Sequence, residues 1–547
     1  MHDNFPIKIS EFRTRDVRAT DDGTGVLTVH TLASGVNDAG QSVVTAMTGE
    51  GHLEVAIHGP RNPFGSVHAE GLTPVFQSDA VYGINQQQVR TTTSASGTAT
   101  AADSAFVCTT GTTIYGFGTI QSRKRLRYRA GQGAVGRFAG FFTAGVANSI
   151  QVIGFGHAED GFYFGYNGTS FGILYSRRGV REVRTLTVTT ASTATNNYNV
   201  QLNGTTYNVT ATNNASTVKT AWEIAQGTFT GWDAQAVGST VVFVKNSVGV
   251  VSGSFSLAQS GAGTPAAGSF AQTKAGAAST ETWTAQSSWN GDKLDGTGPS
   301  GVTIDPTKGN VFEIGIQYLG FGAIVFKIEI APTGNNPDFV VVHTLALPNT
   351  LTSTSVGNPS FPFTMAAYSA GSTTDLTVKV GSFAGFVEGD KILHGPRFSY
   401  VNTLTTVGAA NYQALFTIRN EQYYGGRSNQ SVINLLTISG ALKHTQPAIF
   451  YLIKNGTLAG TPNFASFSAS SCSAWDTAAT TVTFSDNSQV LWTGHLGETG
   501  DLDHHFVNGA SAGEITLQPG EWMTLACKAT TGTPSYVTGS INTREDQ

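Results

Sequence analysis

Arginine occupies every second position of one short basic segment, at Arg123, Arg125, Arg127 and Arg129. Because side chains alternate between the two faces of a β-strand, these four arginines are expected on one face. Such a row could clamp phosphate groups, but an edge or inter-subunit strand whose arginines pair with carboxylates is the favoured interpretation. We therefore predict a subunit interface at these four residues.

Carboxylates cluster in three places, two of which also contain histidine. His157, Glu159 and Asp160 could form part of a glycosidase site, but a turn before a strand explains them better. Residues 289–298 are rich in oxygen ligands yet lack the spacing of an EF-hand loop, so a solvated turn is favoured over a Ca²⁺ site. Residues 501–505 hold two aspartates and two histidines, and a loop is favoured over Zn²⁺ or Ni²⁺ binding. We predict no metal ion, no cofactor and no catalytic residue.

Three glycine motifs match known patterns only by letter. Residues 509–513 fit the Gly-x-Ser-x-Gly elbow, but the elbow needs a helix after the serine and a strand is expected there. Residues 131–136 and 296–301 have the glycine spacing of a dinucleotide-binding loop, and neither opens a helical pattern. All three are predicted to be turns.

Aromatic side chains could stack on sugar rings. The candidates are Tyr163, Tyr166, Trp283 and Trp289, which lie in two aromatic stretches. Aromatic residues are also abundant in the cores of β-sandwiches, so core packing is the main alternative for these rings. Binding of a host surface glycan at these four residues is kept as a hypothesis.

The composition favours packed β-structure and disfavours several classes of protein. Only 12% of the 547 residues are charged, while 65 are glycine and 39% are hydrophobic, enough to bury a core. The formal net charge of −5 provides no basic field for nucleic acid. No run approaches 18 apolar residues and the first residues do not resemble a signal peptide, so we expect synthesis in a cytosol without membrane insertion. Cys108, Cys472 and Cys527 are expected to be small buried hydrophobes.

Periodicity predicts an all-β chain of tandem β-sandwich domains, of jelly-roll or concanavalin-like type, with a small inserted α+β or β module. Short apolar runs recur between turn signals, and one helix is expected around Thr217–Ala225. We predict these domains, in chain order: an N-terminal arm or attachment module at 1–60, a discontinuous sandwich at 61–184 and 276–390, the insert at 185–275, and a C-terminal sandwich at 391–547.

Several stretches resemble a family of virion proteins from tailed phages and some large DNA viruses. The resemblance is carried by residues 62–65, 72–77, 121–133, 160–172 and 289–306, and more loosely by residues 539–546. It implies concanavalin-type or jelly-roll sandwiches, and the insert is similar to small modules of phage tail and fibre proteins. No catalytic residue is implied, because most relatives have no defined biochemical role.

The resemblance and the composition together predict a non-enzymatic structural component of a virus particle: a fibre, spike, tail or capsid-decoration subunit. It would be assembled in the host cytoplasm, contact other virion proteins and form a homo-oligomer, for which a trimer is our expectation. Two alternatives stay open, a receptor protein that binds host glycans and a depolymerase that cuts host polysaccharide. The depolymerase would require two carboxylates at glycosidase distance.

Overall fold

The computed structural model describes residues 71–331, 337–389, 394–443, 446–484, 488–497, 499–506, 515–532 and 536–547, and four short strands before them. By its internal contacts the chain divides into two compact units, Met1–Ala69 and Glu70–Gln547. In the first unit, β1 (Arg18–Asp21) pairs with β2 (Leu27–His30), and β3 (Ser34–Val36) pairs with β4 (Ser42–Val44). The remainder of the predicted N-terminal module lies outside the described residues, as does the motif at 62–65.

The second unit consists almost entirely of strands. The strands before the insert are β5 (Leu72–Asp79), β6 (Val89–Ser94), β7 (Thr98–Ala102), β8 (Ala105–Thr109), β9 (Phe117–Arg127), β10 (Ala134–Phe142), β11 (Ser149–Gly156), β12 (Gly161–Asn167) and β13 (Ser170–Arg177). Those of the insert are β14 (Arg181–Thr190), β15 (Tyr198–Leu202), β16 (Thr205–Val209), β17 (Trp232–Val237), β18 (Thr240–Val248), β19 (Ser256–Gln259) and β20 (Ala267–Lys274), with the helix α1 (Thr217–Ala225) between β16 and β17.

The chain then returns to the first sandwich and continues into the second. The returning strands are β21 (Thr280–Ala285), β22 (Asn310–Ile316), β23 (Ile324–Ile330), β24 (Asp338–Leu345), β25 (Ser360–Ser369) and β26 (Thr377–Glu388), with a 3-10 turn at Gln286–Ser288. The second sandwich contains β27 (Arg397–Leu404), β28 (Tyr412–Asn420), β29 (Tyr423–Tyr424), β30 (Arg427–Ser428), β31 (Val432–Lys443), β32 (Ala448–Lys454), β33 (Thr457–Gly460), β34 (Ala465–Ser466), β35 (Ser473–Asp476), β36 (Ala479–Thr483), β37 (Gln489–Leu496), β38 (Thr499–His505), β39 (Thr516–Leu517), β40 (Trp522–Ala529) and β41 (Val537–Asp546).

The first sandwich packs two antiparallel sheets face to face. One sheet has the order β24-β23-β22-β10-β26-β8-β7, with β5 also paired to β26, and the other has the order β21-β13-β12-β11-β25-β9-β6. Phenylalanine rings fill the space between them: Phe363 stacks on Phe383 of the opposite sheet with 3.9 Å between ring centroids. Gly136 makes room for such a ring, because a Cβ there would come within 2.0 Å of Phe155. The alternation of large and minimal side chains in the sequence therefore reflects packing between the sheets.

The insert is a small α+β module with its own core. It contains a sheet of order β17-β18-β14-β20 and a sheet of order β16-β15-β19. The helix α1 begins after Ser216, whose side chain accepts a hydrogen bond from the Lys219 amide, and it buries Ile224 against this core. The predicted helix is thus confirmed, and the all-β fold class with tandem sandwiches and a small inserted module is confirmed with it.

The second sandwich repeats the two-sheet plan. One sheet has the order β27-β41-β31-β38, with β39 on β31, and the other runs β33-β36-β28-β40-β32-β37. Tyr400, Phe450, Leu525 and Ile541 belong to its buried cluster. Cys108, Cys472 and Cys527 are all buried and free, which confirms their interpretation as small core residues. None of the helical segments in the described part of the chain has the length and apolar character needed to span a bilayer.

Candidate functional site: the seam between the sandwiches

The basic run forms the end of β9 and lies against the second sandwich. Ile120 and Leu126 of β9 are buried in the first core, and the arginines at alternating positions project from the opposite face. β9 is hydrogen-bonded to β25 as far as Arg127 but to β6 only over residues 117–122, so in the described part of the chain its arginine-bearing end has a paired strand on one side, as predicted for an edge. The strand also ends at Arg127, so Arg129 lies in the turn that follows. We call the contact between this face and the second sandwich the seam, formed by Arg123, Arg125, Arg127, Arg129, Glu159, Arg181, Ser428, Glu521 and Asp546.

Carboxylates of the second sandwich pair with three of the seam arginines. Asp546 receives Arg127 Nε at 3.3 Å and Arg129 Nη2 at 2.9 Å, and its side chain is only 12% exposed. Glu521 lies 3.8 Å from Arg123 and 2.7 Å from Lys454. The described carboxylates that pair with these arginines belong to the same chain. The arginines therefore have acidic partners without a second subunit. The predicted subunit interface at Arg123, Arg125, Arg127 and Arg129 stays a prediction.

Arg125 is the most deeply enclosed of the four. Burial lowers its pKa to about 9, and the neighbouring charge of Arg181 acts in the same direction, while Glu159 opposes both. The carboxylate of Glu159 accepts a 2.8 Å hydrogen bond from Ser428 of the second sandwich and lies 4.0 Å from Arg181 Nε. Burial raises the pKa of Glu159, and Arg181 and Ser428 partly offset this. The seam thus joins the start of the insert to both sandwiches.

The turn that carries Glu159 is buried and satisfied by backbone groups. His157 donates its amide to the carbonyl of Asp160 at 2.8 Å, which closes the turn between β11 and β12. Asp160 accepts hydrogen bonds from the amides of Arg178 at 2.8 Å and Gly357 at 2.9 Å. Burial and the charges of Arg181 and Arg125 lower the pKa of His157 well below its usual value, so the ring is neutral near pH 7. These groups act as connectors of loops, as the turn interpretation predicts.

The insert contacts both sandwiches as well. Arg419 of the second sandwich donates to the carbonyl of Ala236 in the insert at 2.7 Å and lies over the ring of Phe464. Trp222 of α1 stacks on the same Phe464 at 5.9 Å. On the other side, Arg90 of β6 forms a 2.9 Å ion pair with Asp233 of β17. Polar and aromatic contacts therefore join the insert to the second sandwich, and an ion pair joins it to the first.

The aromatic residues predicted as sugar platforms are mostly core residues. Trp289 is 2% exposed and packs edge-on against Phe164 and Phe171, and Tyr163 and Tyr166 are also buried. The glycan-binding hypothesis is wrong for these three rings, since a stacking platform must be open to solvent. Trp283 of β21 is half-buried at the edge of its sheet.

The other candidate sites have structural explanations. Asp292 accepts hydrogen bonds from the amides of Leu294 and Ser300, so its oxygens close the predicted turn. Residues 501–505 were expected in a loop and instead form part of β38, paired with β31. Across the described residues, no group of three or more histidine, cysteine or acidic side chains could hold a metal ion. The motif at 131–136 leads into β10, and the motif at 509–513 lies outside the described residues.

Sequence reasoning missed the acidic half of the seam. Glu521 lies in the turn before β40 and Asp546 at the end of β41, and Asp546 is 417 residues from the arginine that it contacts. The available signal was a row of four arginines in a chain with few charges. Because buried guanidinium groups require partners, the row indicates that carboxylates elsewhere in the chain pair with it. Neither a comparison with protein-family models nor a search of curated proteins finds a match to this chain.

Proposed function

We propose that this chain is a non-enzymatic structural component of a virus particle: a fibre, spike, tail or capsid-decoration subunit that acts by assembly and surface contact. The observation that carries the proposal is the seam. Side chains that could have served catalysis or ligand binding, including Arg127, Glu159 and Asp546, are engaged in contacts between the two sandwiches. A chain that uses its few charges for rigid connection suits a load-bearing subunit.

Assembly would follow from the open edges of the sheets. β21 is the outermost strand of its sheet, and its first three residues, Thr280, Glu281 and Thr282, are exposed. Unpaired strand edges are templates for contact with another chain, and repeated copies on a symmetric particle form closed oligomers. The proposal therefore includes a homo-oligomer, expected to be a trimer, attached to other virion proteins through residues 1–60.

Purified particles test this proposal. The chain should be present in them at a fixed copy number by quantitative mass spectrometry, and antibody labelling should place it on the particle surface in electron micrographs. A chain absent from particles that contain all other virion proteins would refute the structural role.

A second candidate function, glycan binding, is favoured by a cleft distant from the predicted aromatic residues. The cleft has a volume of about 1130 Å³ and lies between residues 82–88 and the outward side chains of β10 and β26. Amide side chains of Gln77 and Gln88 line it, and Tyr82 at the rim is fully exposed. Amides both donate and accept hydrogen bonds, as sugar hydroxyls do, and an exposed ring can cover the apolar face of a sugar.

The rim of the cleft is held in place at both ends. Ala80 and Val89 are buried in the core, and Arg123 donates its side chain to the carbonyl of Gln86 at 2.5 Å and its amide to the carbonyl of Gln88 at 2.8 Å. Such a preformed site loses little conformational entropy on binding. Among the described residues that line the cleft Asp79 is the one carboxylate, so the depolymerase hypothesis, which needs a pair, finds less support.

Titration calorimetry of the full chain with neutral glucan, galactan and mannan hexasaccharides tests this candidate. Tyr82→Ala should weaken binding of the preferred hexasaccharide by roughly tenfold. Tyr115→Ala is the matched control, because Tyr115 is 58% exposed in another loop. Absence of binding to any neutral oligosaccharide, or equal binding by both variants, would contradict the glycan role.

A further inference from the structure

A small cavity inside the seam has four cationic side chains in its wall, among apolar and neutral polar residues. Its volume is about 40 Å³, and its lining includes Lys124, Arg125, Arg127, Arg129 and Gln518. One wall belongs to β9 of the first sandwich and the opposite wall to β31, β39 and the end of β41 in the second. A water molecule occupies about 30 Å³ in the liquid, so the cavity has room for a group of that size.

Hydrogen-bond donors around this cavity lack acceptors. Nε and Nη1 of Arg125 and Nη1 of Arg129 are buried without a hydrogen-bond partner among the described residues. Buried donors without acceptors are rare in folded proteins and cost free energy, the more so when they carry charge. An acceptor inside the cavity would remove this cost.

The three arginines around the cavity carry more charge than the carboxylate that lines it. Asp546 is the one carboxylate that lines it in the described part of the chain, and that carboxylate is shared between Arg127 and Arg129. Arg125 forms no ion pair within 4.0 Å with a described carboxylate. The lining thus combines a surplus of cations with unfilled donors, which is the arrangement that binds an anion.

We propose that the seam cavity binds a small inorganic anion of halide size, such as chloride, held by Arg125 and Arg129 between the two sandwiches. The anion supplies the missing acceptor and reduces the repulsion among the guanidinium groups. Because its ligands come from β9 and the turn that follows it while the facing wall comes from the second sandwich, the bound anion stabilises the seam itself. This site is independent of the proposed virion role and of the glycan cleft.

Thermal unfolding of the full chain tests the proposal. At equal sodium concentration, the unfolding temperature in sodium chloride or bromide should exceed that in sodium gluconate, whose anion is too large for the cavity, by roughly 2 °C or more. Arg125→Met should lose this difference, whereas Asp546→Asn should enlarge it because a competing negative charge is removed. Arg137→Met is the matched control, since Arg137 lies on the outer face of the other sheet with Glu313, and it should behave as the unmodified chain.

A bromide soak of crystals of the full chain provides the direct readout, with an anomalous peak expected in the cavity. The proposal is overturned if chloride and gluconate give equal unfolding temperatures in the unmodified chain, or if the difference survives in Arg125→Met. Either result would indicate that water fills the cavity.

Discussion

Replacing Asp546 with asparagine removes the carboxylate that two arginines share across the seam. Removing one partner of a buried ion pair costs about 3–5 kcal/mol. Asp546 is 12% exposed and Arg127 is 21% exposed, and the new amide oxygen can still accept one hydrogen bond, so the cost falls at or just below the lower end of this range. We expect Asp546→Asn to weaken the seam by roughly 2–3 kcal/mol.

Hydrogen exchange measures this loss locally, which matters because a chain of several sandwiches need not unfold in one step. Peptides from β41, which contains Asp546, should exchange roughly 30- to 150-fold faster in the variant, the equivalent of 2–3 kcal/mol. Asp233→Asn is the control, because its partner Arg90 is 47% exposed and a surface pair contributes only about 0.2–1 kcal/mol. Equal exchange of β41 in the two variants would refute the assigned role of the seam.

Three further predictions address burial. The pKa of His157 is lowered in the folded chain, so the unfolded chain binds the additional proton. The contribution of His157 to the free energy of unfolding is therefore fully present above about pH 6.5. Below that pH the free energy of unfolding falls by up to about 1.4 kcal/mol per pH unit. His157→Phe should flatten the decline in denaturant midpoint between pH 7 and 5.5. Glu159 and Asp160, whose pKa values are raised, contribute with the opposite sign and are present in both proteins, so an unchanged slope would contradict this. Burial raises the pKa of Cys527 to about 12. A thiol reagent should therefore label none of the three cysteines in the folded chain and all three in denaturant. Rapid labelling of the folded chain would show that the cysteines are exposed. Trp289→Ala should destabilise the first sandwich by about 3–5 kcal/mol in thermal unfolding and leave any glycan binding intact. A loss of glycan binding without a loss of stability would show that Trp289 contacts the ligand.

The fold could be predicted because its signals are local. Alternation in β9 and β10 indicates strands, and the polar Ser216 before Trp222 and Ile224 indicates the start and buried side of α1. Each of these patterns depends on neighbours a few residues away. The expectation of a loop at 501–505 failed because strand pairing with β31 outweighed the low strand propensity of its aspartates.

The seam could be predicted only in part. The row of arginines and their need for carboxylates follow from alternation and charge. The identity of those carboxylates does not, because Asp546 and Glu521 meet β9 only after both sandwiches have formed. The burial of Trp289 likewise depends on the approach of Phe164 and Phe171 from other strands.

Quantitative mass spectrometry of purified virus particles tests the proposed role most directly. This chain should copurify with the particles through density-gradient banding at a constant ratio to the major capsid protein, in multiples that fit a symmetric oligomer. Recovery of the chain only as free protein in the infected-cell lysate, with none in the banded particles, would contradict it.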